Sequence, residues 1–131
     1  MGDIVTTSSR IVAAETAGTA ETLYIPAPYQ GGEWNLIGFI YAASASAAQH
    51  ATNYATITPT RVADAVCAAQ STVTGATGVA YTAGTLAIFV IDASFQSFGP
   101  TDSVKVVIAK PGAGVALKGA FYCTWRKAQP D

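Results

Sequence analysis

The side chains best suited to chemistry in this chain are few and widely spaced. Histidine occurs once, at His50, inside an alanine-rich stretch, and cysteine twice, at Cys67 and Cys123. A Cys–His nucleophile needs the imidazole within hydrogen-bond reach of the thiol, and neither cysteine sits in a recognisable nucleophile setting. His50 therefore reads as a loop histidine. Two cysteines this far apart form neither a disulfide framework nor a zinc pattern, so two buried, reduced thiols are expected. A single disulfide is the alternative, should their strands adjoin. No G-x-S-x-G elbow is available to present a serine nucleophile.

The acids are equally scattered. Asp64, Asp92 and Asp102 fall near the ends of expected elements. Convergence of Asp92 and Asp102 across the loop 93–101 would make a carboxylate pair or a calcium site. With no further acids nearby, each aspartate is expected instead to bond its own backbone at a turn. The run Gly112-Ala113-Gly114-Val115-Ala116-Leu117 partly matches a dinucleotide-binding loop. Its third glycine position holds Leu117, and the residues beyond it alternate as a strand instead of opening a helix, so a hairpin turn is expected. Tyr24, Tyr29, Trp34, Tyr41 and Tyr54 have the rings for a sugar-stacking platform, but the same spacing serves strand cores or an interface. No catalytic, metal or cofactor-binding residue is assigned, and the chain is not expected to be an enzyme.

Composition explains more than motifs do. Charged residues make up 11% of the 131, against roughly 25% in an ordinary soluble domain. Trp34–Thr60 and Ala65–Ile91 contain no Asp, Glu, Lys or Arg at all. The net charge of −1 leaves no basic footprint for nucleic acid. Lys105, Lys110, Lys118, Arg126 and Lys127 gather toward the C-terminal end, where a solvated strand face and tail is the simplest reading. Polar residues interrupt every apolar stretch, so no run of about 20 apolar residues is available to cross a membrane. The opening MGDIVTTSSR lacks the basic and apolar regions of a secretory leader, and synthesis in a cytoplasm is expected.

These residues would be carried by a single domain over 21–131, preceded by an extended arm over 1–20 rich in Thr, Ala and Gly. Glu21–Ile25 reads as a short edge strand ended by Pro26. Trp34–Ala43 is the first strong strand, with Leu36, Gly38, Ile40 and Ala42 on one face and Ile37, Phe39 and Tyr41 on the other. Both faces are apolar, which predicts packing within the domain on one side and a neighbour on the other. Ala51–Thr58 resumes a β-like composition. Thr60–Gln70 predicts the one short helix, capped by Thr60 with Val62, Val66 and Ala69 at roughly helical spacing. Leu86–Asp92 reads as a buried strand of near-continuous apolar residues. Ser103–Ala109 alternates Val104, Val106 and Ile108 inward. Val115–Arg126 alternates over twelve residues with Phe121, Cys123 and Trp125 on one face, bending or bulging near Gly119. The expected fold is all-β: an antiparallel β-sandwich, with a jelly roll as the first choice.

Several of these segments together resemble the small head-decoration, or cement, proteins of tailed bacteriophages. The resemblance rests on the Thr/Ala/Gly-rich arm, the strand blocks Glu21–Ile25 and Trp34–Ala43, and the Thr/Gly stretch Ser71–Thr85 before Leu86–Asp92. The aromatic closing strand Phe121–Trp125 completes it. It spans most of the chain in texture, without a diagnostic motif. It implies a jelly-roll or related sandwich, a homodimer or homotrimer, and a place on the capsid exterior bound to the major capsid protein. Function would then be binding energy spread over many copies, through apolar area and edge-strand pairing. The expected contact residues are Ile4, Val5, Ile11 and Val12 of the arm with Ile37, Phe39 and Tyr41 of the strand. The alternative from another class is a carbohydrate-binding or adhesin-like sandwich, which low charge, Thr/Ser richness and surface aromatics suit as well.

Overall fold

Val104, Val106 and Ile108 are β-branched and fully buried, while the intervening Lys105 and Val107 are only partly buried, which is what a strand covered on one face requires. They anchor the centre of one of two antiparallel sheets. The computed structural model describes residues 4–10, 20–28, 32–61, 64–75, 78–99 and 101–128. Its strands in chain order are β1 (Ile4–Arg10), β2 (Glu21–Pro26), β3 (Trp34–Ala43), β4 (Thr56–Arg61) and β5 (Asp64–Ala65). There follow β6 (Gln70–Ser71), β7 (Leu86–Ile88), β8 (Ser97–Phe98), β9 (Ser103–Ala109) and β10 (Gly119–Lys127). A 3-10 turn at Ala93–Phe95 precedes β8.

Sheet A runs β1-β10-β3-β7, with β8 pairing the start of β3. Sheet B runs β2-β9-β4-β5, with β6 also pairing β4. All ladders between the named strands are antiparallel among the described residues, and the sheets pack as a sandwich. The core between them is aromatic on the sheet A side. Phe39 stacks on Phe121 at 5.5 Å and meets Phe89 edge-on at 4.9 Å. Tyr41 packs against Phe121 at 5.2 Å and edge-on to Tyr81 at 4.9 Å, while Phe98 meets Trp125 edge-on at 4.9 Å. Sheet B answers with the branched aliphatics Ile25, Ile57, Val104, Val106 and Ile108. Such complementary shapes let large rings fill space that a sheet of alanines would leave empty.

Residues 4–10 of the expected arm form β1, paired with β10 along its whole length. The Trp125 indole N–H donates to Thr7 Oγ1 at 2.8 Å, so a buried ring on β10 relies on β1 for its hydrogen bond. Residues 1–3 and 11–19 of that arm, including Ile11 and Val12, lie outside the described residues.

The face assignment on β3 is corrected by a β-bulge. Thr124 lies opposite Gly38 and Trp125 opposite Leu36, leaving Ile37 as the extra residue. An extra residue reverses the inward–outward alternation beyond it. Trp34 and Leu36 point inward before the bulge, and Phe39, Tyr41 and Ala43 after it. Phe39 and Tyr41 are therefore core residues with no exposure, and only Ile37 of the expected trio reaches the outer face, 37% exposed.

No helix occurs at the described residues of 60–70. Thr60 and Arg61 end β4, and β5 folds back on them with Thr60 opposite Ala65 and Arg61 opposite Asp64. The expected cap residue Thr60 instead donates from Oγ1 to the Lys105 carbonyl at 3.2 Å. Backbone bonds from Val66 N to Pro59 O (3.1 Å) and from Ala68 N to Val90 O (3.0 Å) claim groups a helix would have used. Sheet pairing with distant segments thus outcompetes a weak local period. Pro59 fits inside β4 because its nitrogen side faces the gap between β5 and β6, where no ladder acceptor waits.

The expected buried strand at 86–92 is also corrected. Only Leu86–Ile88 pairs with β3, at the edge of sheet A. Phe89 is buried, but Leu86 is 60% exposed and Ile88 and Val90 are each 73% exposed. Alternation along this run sends every second apolar side chain to the outside.

Candidate docking face

The outward side chains of sheet A form rows that can be read from the register. Ser8, Tyr122, Ile40 and Ile88 lie opposite one another across β1, β10, β3 and β7. On one side of this row lie Thr6, Thr124 and Gly38, and on the other Ala120, Ala42 and Leu86. Arg10 holds the β1 register position beside Ala120, and Arg126 lies opposite Ile4 and Asn35 at the far end. Between those positions the surface carries isoleucine, leucine, tyrosine, alanine and threonine, and no charge.

Leu86, Ile88 and Val90 are the most exposed part of this surface and make a ridge along its β7 margin. Grooves of about 270 and 440 Å³ flank the ridge, one lined by Val79, Tyr81 and Thr85, the other by Cys67, Ile91 and Ala93. A contiguous apolar patch of this kind is costly in water and marks a contact surface. Sheet B presents a different exterior. Thr22, Val107 and Thr58 form one outward row, and Tyr24, Lys105 and Thr60 the next. Thr56 adds a hydroxyl, donating to Ser71 Oγ at 3.0 Å. The exterior of sheet A is therefore uncharged between its ends and apolar toward β7, whereas that of sheet B mixes threonine with Val107, Tyr24 and Lys105.

The β7 edge is partly closed. Gln70 Nε2 donates to the Ile88 carbonyl at 2.9 Å, and the Val90 carbonyl accepts from Ala68 N. Free edge carbonyls and N–H groups template pairing with other chains, so this closure favours contact through the face over strand addition at these two carbonyls.

Of the expected contact residues, Ile4 (59% exposed), Val5 and Ile37 reach the surface. Val5 lies opposite the inward-facing Trp125 and Ile4 opposite Arg126, so the two belong to different faces of β1. Phe39 and Tyr41 lie in the core. The ridge of Leu86, Ile88 and Val90 is absent from the expected contact set, although its signal is present: three large aliphatics at every second position in a charge-free run.

The chemistry-bearing residues stay apart. His50 is exposed, and its Nδ1 accepts from Thr52 N at 3.1 Å and Asn53 N at 2.9 Å, closing a local turn. Cys67 and Cys123 are free and buried. Burial pushes the Cys67 thiol up to about 12, and burial with the neighbouring Cys67 raises Cys123 further, so neither supplies a thiolate near neutrality. Asp92 Oδ1 accepts from Ser94 N at 2.9 Å and Asp102 Oδ2 from Gly99 N at 2.8 Å, each binding its own turn. No group of three or more His, Cys, Asp or Glu side chains is placed to hold a metal ion among the described residues.

The 112–114 segment is a turn with positive φ at Gly112 and Gly114, and Ala113 N donates to Asn53 Oδ1 at 2.8 Å. A Cβ on Gly112 would lie 2.4 Å from the Thr52 carbonyl, so glycine there serves packing against 52–53. The candidate sugar platform is dispersed. Trp34 and Tyr41 are core, Tyr24 stands on the outside of sheet B at 61% exposure, and Tyr29 is outside the described residues.

No protein-family model, no curated protein and no solved structure matches this chain.

Proposed function

We propose that this chain is a non-enzymatic structural protein of a virion, which docks on the exterior of an assembled capsid and stabilises it as a decoration or cement protein. The observation that carries the reading is the outer face of sheet A, uncharged over successive register rows and apolar toward β7, with its exposed ridge at Leu86, Ile88 and Val90. A catalyst has little use for such a face, whereas a protein that covers another surface gains from each apolar side chain it removes from water. The gain per copy is modest, but a shell repeats its binding positions, and many weak contacts reinforce one another.

The strand order supports the fold that the resemblance implies. Sheets ordered β1-β10-β3-β7 and β2-β9-β4-β5, with β1 to β4 alternating between them, support a jelly-roll winding as the finer reading of the sandwich. In this reading the major capsid protein covers sheet A, and copies of the chain associate as homodimers or homotrimers on the shell. Neither nucleic acid nor membrane is a partner.

The test is addition of the purified chain to shells assembled from the major capsid protein of the same virion. The chain should co-sediment with the shells and raise their melting temperature. Ile88→Lys, at a largely exposed position, should abolish both effects while leaving the melting temperature of the free chain unchanged. A chain that stays monomeric and ignores the shells would sink the proposal.

A further inference from the structure

A groove of about 320 Å³ opens at the end of sheet B where β4 ends and β9 begins, lined by Tyr24, Arg61, Thr101, Asp102, Ser103 and Lys105. Arg61 and Lys105 bring two cations to its lining. Arg61 is held by stacking over the Phe98 ring, 5.6 Å from its centroid, and its Nε is buried without a hydrogen-bond partner among the described residues. Neither the Arg61 nor the Lys105 side chain forms an ion pair among the described residues. The one acid lining the groove, Asp102, accepts from Gly99 N at Oδ2.

From this arrangement we propose that the groove binds a carboxylate-bearing sugar. The planar guanidinium matches a carboxylate as a fork of two donors, and Lys105 adds a second positive charge. Tyr24 stands directly across from Lys105 and is 61% exposed, giving the apolar C–H face of a sugar ring a surface to lie against. Thr101, Ser103 and Asp102 supply partners for ring hydroxyls. The volume lies at the low end of ligand pockets, about 300–1,000 Å³, and suits a sugar unit better than a long chain in section. The groove belongs to sheet B, away from the outer face of sheet A, so its occupancy and the docking reading stand or fall separately.

The experiment titrates the full chain with glucuronic acid, glucose and inorganic phosphate, following backbone amide NMR shifts and heats of binding. Glucuronic acid should bind saturably, with shifts centred on Tyr24, Lys105 and Ser103. Glucose and phosphate should each bind about tenfold or more weaker, because each lacks one half of the recognition. Arg61→Lys keeps the charge but loses the fork and should weaken glucuronic acid about tenfold or more. Should Arg61→Lys fail to fold, Lys105→Gln on the strand surface decides in its place, with a comparable loss expected. Absence of saturable binding, equal binding of phosphate or glucose, or undiminished binding by the folded variant would overturn the proposal.

Discussion

Gln70 reaches across to the open margin of β7 and donates its side-chain amide to the Ile88 carbonyl at 2.9 Å. Tyr81 fixes which way the amide points by donating its hydroxyl to Gln70 Oε1 at 3.2 Å. A side chain thus occupies an edge acceptor that another strand would otherwise use. Gln70→Ala should reopen that acceptor and cost about 0.5–1.5 kcal/mol of stability. The expected outcome is a concentration-dependent rise in mass by sedimentation equilibrium beyond that of the wild type. A variant with the wild-type mass distribution would show that the edge needs no closure.

The orientation of the ridge is testable by neighbouring truncations on one strand run. Phe89 is buried and packs edge-on against Phe39, whereas Ile88 is 73% exposed. Phe89→Ala should cost about 3–5 kcal/mol through a core cavity, and Ile88→Ala about 0.5 kcal/mol or less. Urea denaturation of both variants measures the difference. Comparable losses would mean that Ile88 is covered in the isolated chain.

Two glycines on facing strands should respond very differently to a methyl group. A Cβ on Gly119 would lie 2.2 Å from the Ala42 carbonyl, which backbone pairing between β10 and β3 holds in place. A Cβ on Gly38 would meet the Thr124 side chain at 3.3 Å, and that side chain has room to adjust by rotation. Gly119→Ala should therefore destabilise by about 3 kcal/mol or more and Gly38→Ala by about 1 kcal/mol. Thermal melts rank them, and the reverse order would refute the register of β10 on β3.

Alternation is legible in this sequence, whereas the features that interrupt or re-aim it are not. The inward set of β9 and the Phe121, Cys123, Trp125 face of β10 arise directly from a period of two. Gly119 reads as the irregular position of β10, yet the register shift falls opposite Ile37, because a bulge depends on the partner strand and leaves no local signature. That single extra residue puts Phe39 and Tyr41 in the core instead of on the expected contact face. Val66 and Ala69 fit a helical spacing and a β composition equally, and contacts of 64–68 with β4 and Val90, invisible locally, decide between them. The alternation of Leu86, Ile88 and Val90 is legible, but an apolar run does not reveal whether its strand will be central or at an edge, so their exposure is not.

Alkaline pH should unfold this domain through groups that burial keeps neutral. The Cys67 thiol is pushed up from 9.0 to about 12 and the Tyr41 hydroxyl from 10.0 to about 12, in both cases chiefly by desolvation. For Tyr41 the hydrogen bond its hydroxyl donates to the Lys118 carbonyl at 3.1 Å keeps the group in place without offsetting burial. Cys123 and Tyr81 are raised in the same sense. In the unfolded chain these groups lose their protons at lower pH than in the folded one. Between the two values the folded state holds more protons, so stability falls as pH rises. Their contribution is fully present below about pH 9 and is lost progressively from pH 9 toward pH 12, with Cys67 opening the window and Tyr41 joining from pH 10. The buried Lys110, whose ammonium burial holds below its usual range, acts oppositely: its penalty fades as the unfolded lysine also loses its proton toward pH 10.5. Among the described residues, four raised groups against one lowered group set the net sign. Melting temperature measured from pH 7 to pH 11 should fall above pH 9, and Cys67→Ala should flatten the first part of the decline while lowering stability at pH 7 by about 1 kcal/mol. A Cys67→Ala variant that declines from pH 9 as steeply as the wild type would show that the Cys67 thiol is not shielded from ionisation in the folded chain.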